Sequence, residues 1–225
     1  MSSTPTRVTR EQQQQRTRDA LVLAARDVFA RQGYHAAGLD LIAREAGFSK
    51  GAVYSNFEGK ADLFLAVMDA NLGAAGTQGW DVFERVGPCA TADEVPADVE
   101  GAMRGFALAT LEFIATAARD RELAGRLTQR VQVMVDLYAD VTERSGAPEG
   151  ALSRAEVAAV LAALDQGAAL LALGGVAAVD QSVLRAAMQR LVDPSRAAGI
   201  EREGGTGGGL HDQEIARRIA SSVSS

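Results

Sequence analysis

The tight turn Ala46-Gly47-Phe48-Ser49 constrains this chain more than any other feature. Before it, Leu39 to Glu45 places Leu39, Ile42 and Ala43 on one face of a short helix. After it, Ser49 is a suitable N-cap for a second short helix over Lys50 to Asn56. Helices this short are marginal in water, so neighbours must hold them. Helix, tight turn and short helix in this spacing make a helix-turn-helix. A small residue at Ala46 lets the helices approach, Gly47 permits the turn, and Phe48 plugs the space between them. Such a unit offers the N-terminal half of its second helix to a DNA major groove. Gly51 costs helix stability but lets backbone come close to DNA.

Longer helices flank the unit. From Arg16 to Gln32, Ala20, Leu21, Ala24, Ala25, Val28 and Phe29 form one amphipathic face, ended by Gly33. Lys60 to about Leu72 forms a further helix with Leu63, Phe64, Val67 and Met68 on one side. Breaks then flank a short segment holding Trp80, Val82 and Phe83. Helices follow over about Pro96 to Ala118 and Arg121 to Arg144. The capping box Ser153/Glu156 opens another to about Leu173, and Asp180 caps a last one through Leu191. No strand alternation or repeat stands out. The expected fold is all-α: an N-terminal three-helix helix-turn-helix domain and a C-terminal helical ligand-binding and dimerisation domain. The expected divisions are a flexible basic arm at 1–15, the DNA-binding domain at 16–61, the larger domain at 62–193 and a mostly disordered tail at 194–225.

Composition narrows the class. The chain has 225 residues, 47% hydrophobic and 23% charged, in the range of globular proteins. Residues 1–60 carry nine basic and six acidic groups, net +3, while the other 165 carry 14 and 23, net −9. A basic head on an acidic body suggests that only the head meets a polyanion. One cysteine, Cys89, excludes an internal disulfide and a thiolate metal cluster, and reads as an idle thiol or a redox switch. His35 and His211 lie far apart and read as surface residues, so no metal or cofactor is expected. The N-terminus lacks the apolar core of a secretory signal, and the apolar run at 167–179 is too short to span a bilayer. The expectation is a cytoplasmic, non-enzymatic protein with no membrane partner.

The stretch IAREAGFSKGAVYSNFEGKADLF, residues 42–64, resembles the DNA-binding region of the tetracycline-repressor (TetR) family. The likeness extends more weakly back to Arg16, through the first helix. It implies a homodimeric, ligand-responsive repressor of transcription on a palindromic double-stranded DNA operator. It further implies that Ser49, Lys50 and Gly51 sit at the mouth of the recognition helix and that Ala52 and Ser55 face the groove. Tyr54 would contact phosphate, Asn56 base or phosphate, and Lys60 phosphate, with Phe57 in the core. The family usually opens its second helix with two threonines. Ala37 and Gly38 stand there, so that phosphate contact is absent or taken over by Arg44 or the N-terminal arm.

The body is less specific. Trp80, Met103, Phe106, Thr110, Phe113, Met134, Tyr138 and Gln166 either line a cavity for an unknown small-molecule effector or form plain core. Ala162, Ala169, Leu170 and Leu173, with Leu184, Ala187, Met188 and Leu191, form faces suited to a two-fold four-helix dimer interface. The rival classes are a helical enzyme or carrier, for which no acid–base pair is spaced, and a protein-interaction module.

Overall fold

The computed structural model describes residues 9–77, 97–145, 152–174 and 181–193. They form α1 (Arg10–Ala36), α2 (Leu39–Glu45), α3 (Lys50–Tyr54), α4 (Lys60–Thr77), α5 (Ala97–Ala117), α6 (Arg121–Arg144), α7 (Arg154–Leu173) and α8 (Gln181–Val192). Among the described residues there is no strand. Trp80, Cys89, His211, the Asp180 cap and the tail at 194–225 lie outside them.

α1 starts earlier than the apolar stripe suggests. The Thr9 side chain accepts from the Gln12 backbone N–H, and the Gln12 side chain accepts from the Thr9 N–H. This reciprocal cap satisfies two of the orphan donors of a helix start. Residues 10–15 are therefore helical, not part of a flexible arm, and residues 1–8 lie outside the description. At the other end, Gly33 adopts φ +79° and breaks the helical path before the last turn.

Two apolar cores organise the chain. The first joins α1 to α5, with Leu21, Val28, Phe29, Ile42, Val53, Phe57, Phe64 and Phe113 all buried. It runs across the expected boundary at residue 61, because α4 contributes Leu63, Phe64, Leu65 and Val67. Its centre is aromatic. Phe64 stacks on Phe113 at 4.6 Å and meets Phe29 edge-on at 4.9 Å, and Tyr34 meets Phe113 edge-on at 5.1 Å. Such pairs each contribute about 0.5–1.5 kcal/mol beyond the burial of their area.

The helices α1 and α5 cross very closely. A Cβ on Gly105 would stand 2.0 Å from the Ala30 carbonyl oxygen, so only glycine fits. Higher along the crossing, the Glu112 carboxylate accepts from the His35 backbone N–H at 2.9 Å. α5 thereby supplies a partner for backbone freed at the Gly33 break.

The second core joins α6, α7 and α8 through Tyr138, Val141, Ala158, Leu161, Ala162, Met188 and Val192. The Ser153/Glu156 capping box opens α7 as expected. This core corrects the expected dimer face: Ala162 and Met188 are buried in it, and Leu184 and Leu191 pack against it. Their surface is already spent within the chain. Ala169, Leu170 and Ala187 are exposed, as are Val160, Leu164 and Leu171.

α7 is also more apolar than the longest uncharged run suggested. An 18-residue window within it has a mean hydropathy of 1.6, enough by length and composition to cross a membrane. One side of it packs through Ala158, Leu161 and Ala162, and Asp165 interrupts it.

Gly105→Ala should force α1 and α5 apart and cost about 1–3 kcal/mol, the usual range for overpacking. Urea unfolding measures this, and an unchanged midpoint would show that the crossing is looser than described.

Candidate nucleic-acid interface

The turn between α2 and α3 forms for a local backbone reason. Gly47 has φ +76°, a left-handed conformation that side-chain-bearing residues rarely take. Nothing lies within 4 Å of a Cβ built there, so the dihedral and not crowding demands the glycine. The Phe48 N–H donates to the Ala43 carbonyl at 2.8 Å and closes the turn. Phe48 then packs on the first core.

α3 is five residues long and survives by burying Val53 and, just beyond it, Phe57. Arg18 of α1 ties down its far end. The guanidinium donates to the Asn56 carbonyl at 2.6 Å and lies 4.2 Å from the Phe57 ring centroid. One side chain thus satisfies an orphan carbonyl and covers an aromatic face. This residue was not singled out from the sequence, although the signal was present. Arg18 continues the buried stripe of Leu21, Ala25 and Val28, and a charge on such a stripe needs a partner.

The outward surface of the unit holds six of the nine predicted DNA-binding residues. Arg44, Ser49, Lys50, Gly51, Tyr54 and Ser55 are exposed, and Ala52 is half-buried beside them. Tyr54 is 54% exposed, high for a phenol beside a core. Arg44 has no ion pair among the described residues. Lys50 reaches Asp40 at 3.0 Å, and that hydrogen bond holds its pKa above the ordinary lysine value. An exposed pair of this kind is worth about 0–1 kcal/mol, so a phosphate can replace the carboxylate. A methyl on Gly51 would meet only the Ser49 Oγ at 3.6 Å. Nothing in the protein's own packing requires glycine there.

Three expectations need correction. The Ser49 hydroxyl makes no capping hydrogen bond to α3, although its backbone sits in the cap conformation. Asn56 turns inward: its amide donates to the Ala52 carbonyl at 2.8 Å, and its Oδ1 is buried without a donor. It closes the end of α3 and does not reach outward. Lys60 also turns inward, donating to the carbonyls of His35 at 2.8 Å and Ala37 at 3.2 Å. Its ammonium stands 5.0 Å from the Tyr34 ring centroid. Burial pushes its pKa below the ordinary lysine value, with the charge of Glu112 pulling the other way. The physical reason is that the carbonyls freed at the end of α1 form a negative helix terminus, and Lys60 lies within reach of it.

The body grips this unit through α6. Arg126 pairs closely with Asp62, whose other oxygen accepts from the Glu58 backbone N–H at 3.2 Å. One turn further, Arg130 donates to Asp69 at 2.8 Å. Two arginines of the body thus hold the first and third turns of α4.

The predicted effector residues do not converge. Phe106 and Phe113 belong to the first core, while Met134 and Tyr138 belong to the second. Met103 is 57% exposed, Gln166 is exposed beside Asp165, and Thr110 donates to its own helix at the Phe106 carbonyl. Plain core and surface account for this set among the described residues.

A compact helix-turn-helix with an exposed second helix on an all-helical body has the form of a DNA-binding unit. The model of the bacterial regulatory proteins of the tetR family matches residues 21–67. The HTH-type transcriptional activator FasR of Mycolicibacterium smegmatis is 47% identical over 55 residues, 24% of this chain and 25% of that protein. The chain thus matches about a quarter of the length of that relative. Salmonella enterica GusR shares the fold with a TM-score of 0.58, covering 82% of this chain and 98% of that one at 19% identity. The regulator FadR of Bacillus subtilis, solved with stearoyl-CoA, gives 0.51 over 81% and 99% at 19% identity. Residues 21–67 thus resemble the DNA-binding domain of the tetR-family regulatory proteins.

Tyr54→Ala and Lys60→Ala should separate outward from inward roles. Lys60→Ala strands two carbonyls and should cost about 1–2 kcal/mol in urea unfolding. Tyr54→Ala should stay within about 0.5 kcal/mol of the parent. Equal stability of the two variants would contradict the inward placement of Lys60.

Proposed function

We propose that this chain is a homodimeric regulator that binds a pseudo-palindromic DNA operator and releases it when a small molecule occupies the body. The observation that carries this reading is the exposed rim of Arg44, Lys50, Gly51, Tyr54 and Ser55 on an otherwise anchored helix pair. Arg44 and Lys50 supply charge for phosphate, and the α3 backbone at Gly51 supplies close approach to base edges. A net formal charge of −6 on the whole chain makes a diffuse attraction to DNA unfavourable, so binding rests on the head.

One head has few cations, and a dimer answers that weakness. Two heads on one palindrome, about 34–36 Å apart or a multiple of it, act together. The exposed stripe Val160, Leu164 and Leu171 of α7 is the face that supports this pairing. It replaces the buried residues first expected there.

The α6 arginines support a route for release. Any effector that re-seats α6 moves Asp62 and Asp69 with it, and α4 leads directly into α3. A ligand need only bind one arrangement better than the other. FadR of Bacillus subtilis, which shares the fold, was solved with stearoyl-CoA; we read the body of this chain as an effector domain on that basis. Where the operator overlaps a promoter, the bound dimer blocks transcription and release lifts the block.

A mobility-shift titration with the DNA flanking the coding region tests the reading. Binding should be sequence-preferring and should weaken steeply between low and physiological salt; salt-insensitive or absent binding would overturn it. For the pairing, Leu164→Glu should convert dimer to monomer in sedimentation and weaken operator binding by about 100-fold or more. A Leu164→Glu protein that remains dimeric would place the interface elsewhere.

A further inference from the structure

A groove of about 340 Å³ lies between α1 and α4. Its apolar lining comes from Val22 and Leu23 of α1 and from Ala66, Val67 and Ala70 of α4. Val67 is fully buried, while Leu23 is 56% exposed, so the lining runs from core to solvent. The volume falls within the range of about 300–1,000 Å³ found for sites that hold drug-sized molecules.

The charged groups around it are unequally committed. Asp69 already accepts from Arg130, and Asp19 accepts from the Gln15 amide at 2.7 Å. Arg18 spends one N–H on the Asn56 carbonyl and its face on Phe57. Arg26 has only a 3.7 Å contact with Asp27, both half-exposed. Asp19 keeps its charge beside that neutral amide, and the least committed cation beside the apolar lining is the Arg26 guanidinium, whose fork suits an oxyanion.

Two walls of the groove also lead elsewhere. Arg18 is the side chain that ties down the end of α3, and Asp69 is gripped by α6. A molecule lodged here touches the tether of the recognition helix directly, without passing through the body.

We propose that the α1/α4 groove is a binding site for a small amphipathic organic anion. Its apolar part rests on Val22, Val67 and Ala70, its carboxylate or sulfonate meets Arg26, and its occupancy reaches α3 through Arg18. The site itself stands apart from the regulator reading; only its effect on DNA rests on that reading. It differs from the effector domain proposed for the body in both place and route.

The test uses the full chain and the probe 8-anilinonaphthalene-1-sulfonate. Methyl-labelled protein is titrated by NMR, and the affinity is measured again for Ala70→Trp, which fills the groove, and for Arg26→Gln. Both positions are exposed, so folding tolerates the changes. The expected result is a shift of the Val22, Leu23 and Val67 methyl signals, with affinity at least about fivefold weaker in each variant. Shifts confined to Val160, Leu164, Leu171 or the second core, or unchanged affinity in both variants, would overturn the site. In a parallel titration, saturating probe should change operator affinity at least about fivefold for the parent and not for Ala70→Trp. An unchanged operator affinity with the groove occupied would overturn the coupling through Arg18. Failure to bind operator even without probe would overturn the regulator reading and leave the groove result standing.

Discussion

Everything in the head depends on how closely α5 lies against α1. At Gly105 the two backbones approach so nearly that no side chain fits between them. That proximity lets Phe113 and Phe106 reach Phe64 and Tyr34, and lets Glu112 meet the backbone at the end of α1. The helix-turn-helix is then built against this paired base. Its own helices, of seven and five residues, could not persist without it. A mutation far from DNA, at a crossing with no chemical function, therefore bears on recognition through the stability of the platform.

Charge does a second kind of work at the same junctions. Arg18, Arg126 and Arg130 are each partly buried and each end on a specific oxygen. An apolar contact can slide, whereas a guanidinium against a carboxylate or carbonyl fixes register. The three arginines set where α3 and α4 sit relative to the cores that hold them. Partial burial makes them dependent on their partners, so loss of Asp62 or Asp69 leaves a charge without compensation.

Much of this was legible in the sequence, for identifiable reasons. Apolar spacing located α1, α2, α4, α6 and α8, and the Ser153/Glu156 pair marked the start of α7. The motif around Gly47 identified the turn because a left-handed backbone there has few substitutes. What escaped were features set by partners distant in the chain. The start of α1 hid in a polar glutamine run, since its signal was a reciprocal cap and not an apolar stripe. Lys60 and Asn56 read as outward because they are polar, but unpaired carbonyls at two helix ends drew them in. Phe113 and Tyr138 looked like one cavity and are the centres of two separate cores. Ala162 and Met188 of the expected dimer stripe are likewise buried in the second core, because periodicity shows that a face is apolar, not which partner covers it.

The uncovered face of α7 has a consequence for the life of a newly made protomer. A segment this apolar, with only 22% of its span buried, looks to a cell's quality control like a membrane segment that has missed its bilayer. Under the pairing proposed above, an unpaired protomer is exposed to chaperones and proteases that a paired one escapes. Abundance should then rise more than proportionally with synthesis, because each added chain shortens the wait for a partner. Scarcity would be self-reinforcing, and the working level of the protein would be set as much by the speed of pairing as by its rate of production.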